Sequence, residues 1–107
     1  MSEEKPMTWT LILEQISNIR VLTPTNRHLK ELRMHPATYK VFEAIAELYG
    51  FKTFTYTVSI DSNIDHVPME IDRLFGAEIK KDQMFPFPTV FLFDQYGEIM
   101  GRVRLRI

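Results

Sequence analysis

Cysteine is absent from the 107 residues, which excludes disulfides, thiolate metal sites and cysteine nucleophiles together. Glycine is scarce, four in all. No GxGxxG, GxxxxGKS/T or GxSxG arrangement occurs, so there is little material for a phosphate cradle or a nucleophile elbow. Neither sign of charge dominates: 13 Lys and Arg stand against 14 Asp and Glu, a net charge of −1. That balance argues against a general nucleic-acid binder, whose affinity comes mainly from excess basic residues. No apolar run approaches the roughly 18–20 residues that span a bilayer. Residues 1–6 are acidic and polar where a secretory signal is basic and then apolar. The expectation is a soluble cytoplasmic protein without a cleaved export signal, residues 1–6 forming a flexible tail and 7–107 a single domain.

What is present suits a globular fold. Hydrophobic residues make up 45% and charged residues 25%, enough of each for one packed core and a wet surface. The clearest pattern lies at the C-terminal end. Residues 89–93, Thr-Val-Phe-Leu-Phe, are apolar or β-branched throughout and read as a strand with both faces covered. After the polar turn Asp94-Gln95-Tyr96-Gly97, residues 101–107 alternate Arg102, Arg104 and Arg106 with Val103, Leu105 and Ile107. One face of that second strand packs, and the other presents three guanidinium groups. The pair reads as a β-hairpin.

Upstream, residues 7–18 carry Trp9, Ile12, Leu13 and Ile16 at helical spacing, with Thr8 or Thr10 able to cap. Residues 19–22, Ile-Arg-Val-Leu, predict a strand stopped by Thr23-Pro24. A short helix is expected over 25–32, with a strand as the alternative from Glu31. His35-Pro36 opens the main helix, because proline is pre-shaped for a first helical turn. Tyr39, Phe42, Ile45, Ala46 and Tyr49 continue its apolar face to Gly50. Residues 51–60 alternate Phe54, Tyr56, Val58 and Ile60 with threonines and Ser59, a strand with one wet face. Residues 61–68 read as irregular, 69–75 as two turns of helix closed by Gly76, 77–80 as a short strand, and 81–88 as a loop. The fold class expected is α/β (α+β): a mixed sheet, antiparallel at its C-terminal hairpin, with one main helix packed on it. Phe42, Ile45, Phe54, Tyr56, Val90, Leu92 and Phe93 are its expected core.

Constellations with chemical potential are few. His28, His35 and His66 show no HExxH or i, i+4 pairing, and His35 reads as a cap or turn residue before Pro36. Asp61, Asn63 and Asp65 match the first half of a calcium loop, with Asp72 at its twelfth position. His66 stands where that loop needs glycine, so the side chains read better as partners of backbone amides. Asp61, Asp65, Asp82 and His66 would form a catalytic site only if their loops converged, and the alternative reading they leave is a small-ligand binder or minor hydrolase using the loop over 61–72. The expectation is therefore no enzyme, no metal and no cofactor. Arg102, Arg104 and Arg106 form the most suggestive surface, suited to an acidic partner or to shielding a sheet edge from other chains. Met84, Phe85 and Phe87 offer a second, apolar contact surface.

Two family resemblances attach to these residues. Residues 32–39, Leu-Arg-Met-His-Pro-Ala-Thr-Tyr, with 75–82, Phe-Gly-Ala-Glu-Ile-Lys-Lys-Asp, and the closing hairpin resemble a pattern of tailed-phage capsid-type and accessory proteins. There a strand leads into an HPxxY helix and an FGxxIxxD segment re-enters the sheet. The likeness implies a small viral accessory or assembly protein, in host cytoplasm or virion, acting through protein partners or self-association, with no catalytic residues. Residues 46–50, the strand ending Ser59-Ile60-Asp61, and 87–98 around Pro88 resemble the helix, second strand and proline-containing hairpin of the thioredoxin fold. That likeness implies a cis bond before Pro88 and, with both family cysteines and the closing helix missing, a redox-inactive binding module. Nucleic acid and membrane are not expected partners.

Overall fold

The computed structural model describes residues 7–51, 54–61 and 66–106, and for 56, 58–61 and 66–70 the backbone only. The expected tail over 1–6 lies outside the described residues, as do Asp65 and Ile107, and so do the side chains of Tyr56, Asp61 and His66. Two helices and six strands follow in the order α1 (Trp9–Leu22), β1 (Leu29–Met34), α2 (Pro36–Leu48), β2 (Thr55–Asp61), β3 (His66–Leu74), β4 (Ala77–Lys81), β5 (Thr89–Asp94) and β6 (Ile99–Arg104). Across the sheet the order is β2-β3-β4-β1-β5-β6. β1 runs parallel to β4, while β1/β5, β5/β6, β2/β3 and β3/β4 are antiparallel. The result is the expected α+β architecture, a mixed sheet closed by a C-terminal hairpin.

The hairpin packs as its alternation dictates. Leu32 and Met34 of β1, Val90 and Leu92 of β5, and Val103 of β6 point to one face and are fully buried. Both helices cover that face. From α1 come Trp9, Ile12 and Ile16, and from α2 come Phe42 and Ala46. Each such aliphatic or aromatic side chain withdrawn from water contributes roughly 1.5–3 kcal/mol. Trp9 meets Phe42 edge-on with ring centroids 5.1 Å apart, and Phe42 stacks on Phe54 at 5.1 Å. Of the expected core, Phe42, Phe54, Val90 and Leu92 are fully buried and Ile45 packs half-buried against them. Phe93 is buried too, but on the opposite face of the sheet, outside the main cluster.

Three expected elements differ. The strand over 19–22 is instead the end of α1: Trp9, Ile12, Ile16 and Ile19 continue one stripe at helical spacing, so packing overrides the β-branched composition. Thr23, extended before Pro24, stops the helix, and its hydroxyl donates to the Ile19 carbonyl at 2.6 Å. The helix over 25–32 is absent. A turn closed by the Arg27 amide on the Pro24 carbonyl leads into β1. Leu29 and Leu32 both point inward because a bulge lies between Leu29 and Glu31, which gives a strand the three-residue spacing of a helix. Residues 69–75 are not helical but fall within β3 and its turn, where pairing with β2 and β4 decides the conformation. Gly76 ends no helix. With Phe75 it forms a two-residue hairpin turn in which both residues have positive φ, 54° at Phe75 and 76° at Gly76.

Beyond Arg73, β3 pairs only with β2, so the two run on as a ribbon past the edge of β4. The Phe87–Pro88 peptide bond is cis, as the thioredoxin-like reading expects. The second strand of that reading lies elsewhere than expected. β2 stands at the far edge, and the strand that returns parallel to β1 after α2 is β4.

Candidate functional site

With both helices on one side, the other face of the sheet is left to its own side chains and to the loop over 82–88. Register sets what lies there. Arg33 of β1 stands opposite Phe91 of β5, and Phe91 opposite Arg102 of β6. One row over, Glu31 faces Phe93, and Thr89 faces Arg104. Lys80 and Glu78 of β4 extend the same face beside Arg33 and Glu31. Basic and aromatic side chains therefore interleave across three adjacent strands.

Part of this surface is closed by its own contacts. The Arg33 guanidinium lies 4.3 Å above the Phe93 ring and donates to Glu31 at 2.7 Å, with Lys80 Nζ 3.4 Å from the other carboxylate oxygen. Burial alone pushes the Glu31 carboxyl up, but Arg33 and then Lys80 outweigh it and hold the group below its ordinary range. Phe85 folds over from the loop, 5.3 Å from Phe91 and 6.0 Å from Phe93, so loop residues supply the cover expected on the second face of β5.

The remainder is open. A groove of about 280 Å³ is lined by Pro86, Phe87, Thr89, Phe91, Arg102 and Arg104. Of the six contact residues expected from sequence, Phe87, Arg102 and Arg104 meet there. Phe85 sits beside them beneath the loop, Arg106 continues the arginine row, and Met84, 89% exposed, projects from the loop without lining the groove. Among the described residues no carboxylate pairs with Arg102 or Arg104, whereas Arg27 and Arg33 are each held by one. Sequence reasoning missed Arg33, Glu31 and Phe91. The alternation of Glu31 and Arg33 with Leu32 and Met34 is the signal that marks them once β1 is read as a strand.

Elsewhere the buried Asp94 and half-buried Asp72 carboxylates already have partners. Asp94, buried at the start of the β5–β6 turn, accepts from the Tyr96 and Glu98 amides at 2.9 Å each and from Arg27 Nε at 2.6 Å. Burial pushes its carboxyl up, and the Glu98 amide, Arg27 and the Tyr96 amide pull it lower still, for a net depression. A cleft of about 540 Å³ beside it, between α1 and the Phe75 turn, is lined by Arg20, Arg27 and His28, but Asp94 already neutralises Arg27. Asp72 accepts from Thr55 at 2.5 Å and pairs with Lys81 at 3.0 Å, so its carboxylate is engaged within the sheet. Beside it the Tyr39 hydroxyl is pushed well up by burial and by the charges of Asp72 and Glu43. His35 caps α2 as expected, its ring accepting from the Ala37 amide at 2.9 Å.

Among the described residues no three His, Asp or Glu side chains stand together as metal ligands, and no helix is long and apolar enough to cross a membrane. Compared with protein-family models, curated proteins and solved structures, the chain matches none.

Proposed function

We propose that this chain is a non-enzymatic binding module that engages an acidic protein partner through the helix-free face of its sheet. The observation that carries the reading is the groove that Arg102 and Arg104, unpaired among the described residues, line together with Phe87 and Phe91. A groove lined by aromatic and arginine side chains has the composition of protein contact sites, where Arg and aromatic anchors supply most of the affinity. The ion pairs support a role outside catalysis. Glu31, Asp72 and Asp94 are all held ionised by neighbours, the reverse of a carboxyl poised to exchange protons near neutrality.

The scaffold supports a redox-inactive, thioredoxin-like version of the reading. β1, α2 and β4 form a parallel unit, and β5 and β6 add an antiparallel hairpin on the other side of β1. A tailed-phage accessory role would use the same surface, since it too works by protein contact. In its favour, β1 leads directly into the His35-Pro36 helix, and Phe75-Gly76 turns the chain back into the sheet as β4.

The test is comparative capture from extract of the source cells, with wild type and an R102E/R104E variant immobilised side by side. Proteins retained by wild type, lost by the variant and weakened by added salt are expected. Identical retention by both proteins, with the variant folded by circular dichroism, would contradict the reading.

A further inference from the structure

β6 is an outer strand of the sheet, and the register shows which of its backbone groups are spent. The Leu105 amide donates to the Pro88 carbonyl at 2.8 Å. In an antiparallel ladder, opposed residues alternate between pairs that exchange hydrogen bonds and pairs that do not. Leu105 opposite Pro88 is a bonded pair. Val103 opposite Val90 and Gly101 opposite Leu92 are then bonded as well, while Arg104 opposite Thr89 and Arg102 opposite Phe91 are not. The N–H and C=O groups of Arg102 and Arg104 thus point away from β5, out of the edge of the sheet. Among the described residues nothing bonds to them. The start of the strand differs, because Arg27 Nη2 donates to the Ile99 carbonyl at 3.2 Å. Among the described residues, the unoccupied edge is the backbone of Arg102 and Arg104.

We propose that this edge accepts an extended acidic segment of a partner protein as an antiparallel seventh strand. The inference rests on the binding-module reading above and adds the docking mode and the partner's chemistry. The same two residues offer both halves of the recognition: backbone groups at the edge, and guanidinium groups on the helix-free face. In an added antiparallel strand, the residues opposite Arg102 and Arg104 carry their side chains on that face, about 4.5–5.5 Å from the arginine Cβ atoms. Carboxylates at alternate positions satisfy the row, and residues between them fall on the side of Val103 and Leu105 and suit apolar or β-branched types. A second copy of this chain is disfavoured at this edge, since pairing β6 with itself sets arginine rows against each other. The arginines therefore repel basic strands while selecting acidic ones.

The test uses blocked seven-residue peptides alternating glutamate and valine, titrated into the full-length protein by calorimetry. One-to-one binding that weakens with salt is expected. N-methylating the glutamate amides, which point at β6, is expected to lower affinity by about tenfold or more, while N-methylating the valine amides leaves it within about threefold. R102Q/R104Q is expected to abolish binding without loss of fold, and hydrogen exchange at the Arg102 and Arg104 amides to slow when the unmodified peptide binds. If both methylated peptides bind as the parent does, and R102Q/R104Q still abolishes binding, strand addition is overturned while the charged face stands. If no peptide binds, strand addition is likewise overturned. If in addition R102E/R104E captures the same proteins as wild type, the binding-module reading falls with it.

Discussion

The Asp94 carboxylate shows how much of this architecture hangs on single side chains. Its two oxygens tie the β5–β6 turn to the segment after α1 through Tyr96, Glu98 and Arg27. The sequence marks Asp94 only as a turn residue. Its partner Arg27 lies 67 positions upstream, a distance no local pattern reports. Because the folded carboxyl is depressed below the ordinary value of about 3.9, the unfolded chain takes up its proton first as pH falls. The stabilisation is present in full above the unfolded value and is lost as pH falls through the folded one. Asp94→Asn is expected to lower the urea midpoint at pH 7, with the gap to wild type narrowing by pH 3. A gap independent of pH would show that the charge of Asp94 contributes nothing. Glu31 and Asp72 are depressed in the same direction, so the substitution should reduce the acid sensitivity of the whole protein rather than remove it.

Between elements, α1 packs tightly on β6. Gly101 has no Cβ because Ile19 fills its place: a Cβ there would lie 2.9 Å from Ile19 Cγ2. Gly101→Ala is expected to destabilise the protein by roughly 1–2 kcal/mol, the range of a modest overpacking, and to cost little in an Ile19→Ala background. Equal cost in both backgrounds, measured by urea unfolding, would place the α1–β6 contact elsewhere.

At this scale the hairpin, α2 and β4 were legible because each carries its period and its punctuation intact. Proline opens α2, and Arg102 to Leu105 alternate without interruption. The end of α1, β1 and β3 were not. In α1 the residues after Asn18 have strand composition, but Ile19 continues the helical stripe while Val21 and Leu22 stay exposed. In β1 a bulge forges helical spacing, and in β3 the residues Glu70 to Arg73 have ordinary helix propensity overruled by strand pairing, Glu70 to Asp72 with β2 and Arg73 with β4.

For the molecule as a whole, the consequence among the described residues is a sheet with helices on one face only. The arginines of β6 were visible in the sequence, and so were the phenylalanines of the loop. Their convergence with Phe91 and Arg33 was not, since it depends on β1 and β5 being neighbours. That adjacency turns three separate patterns into one surface of interleaved aromatic and arginine residues. The most direct measurement is a two-dimensional amide NMR titration of the protein with the alternating glutamate-valine peptide. The largest shifts are expected at 101–106, with smaller ones at Thr89 and Phe91, and α2 and the Phe75 turn unmoved. Shifts centred on α2 or the Phe75 turn, or none on β6 at saturating peptide, would contradict the claim that this protein works through its helix-free face.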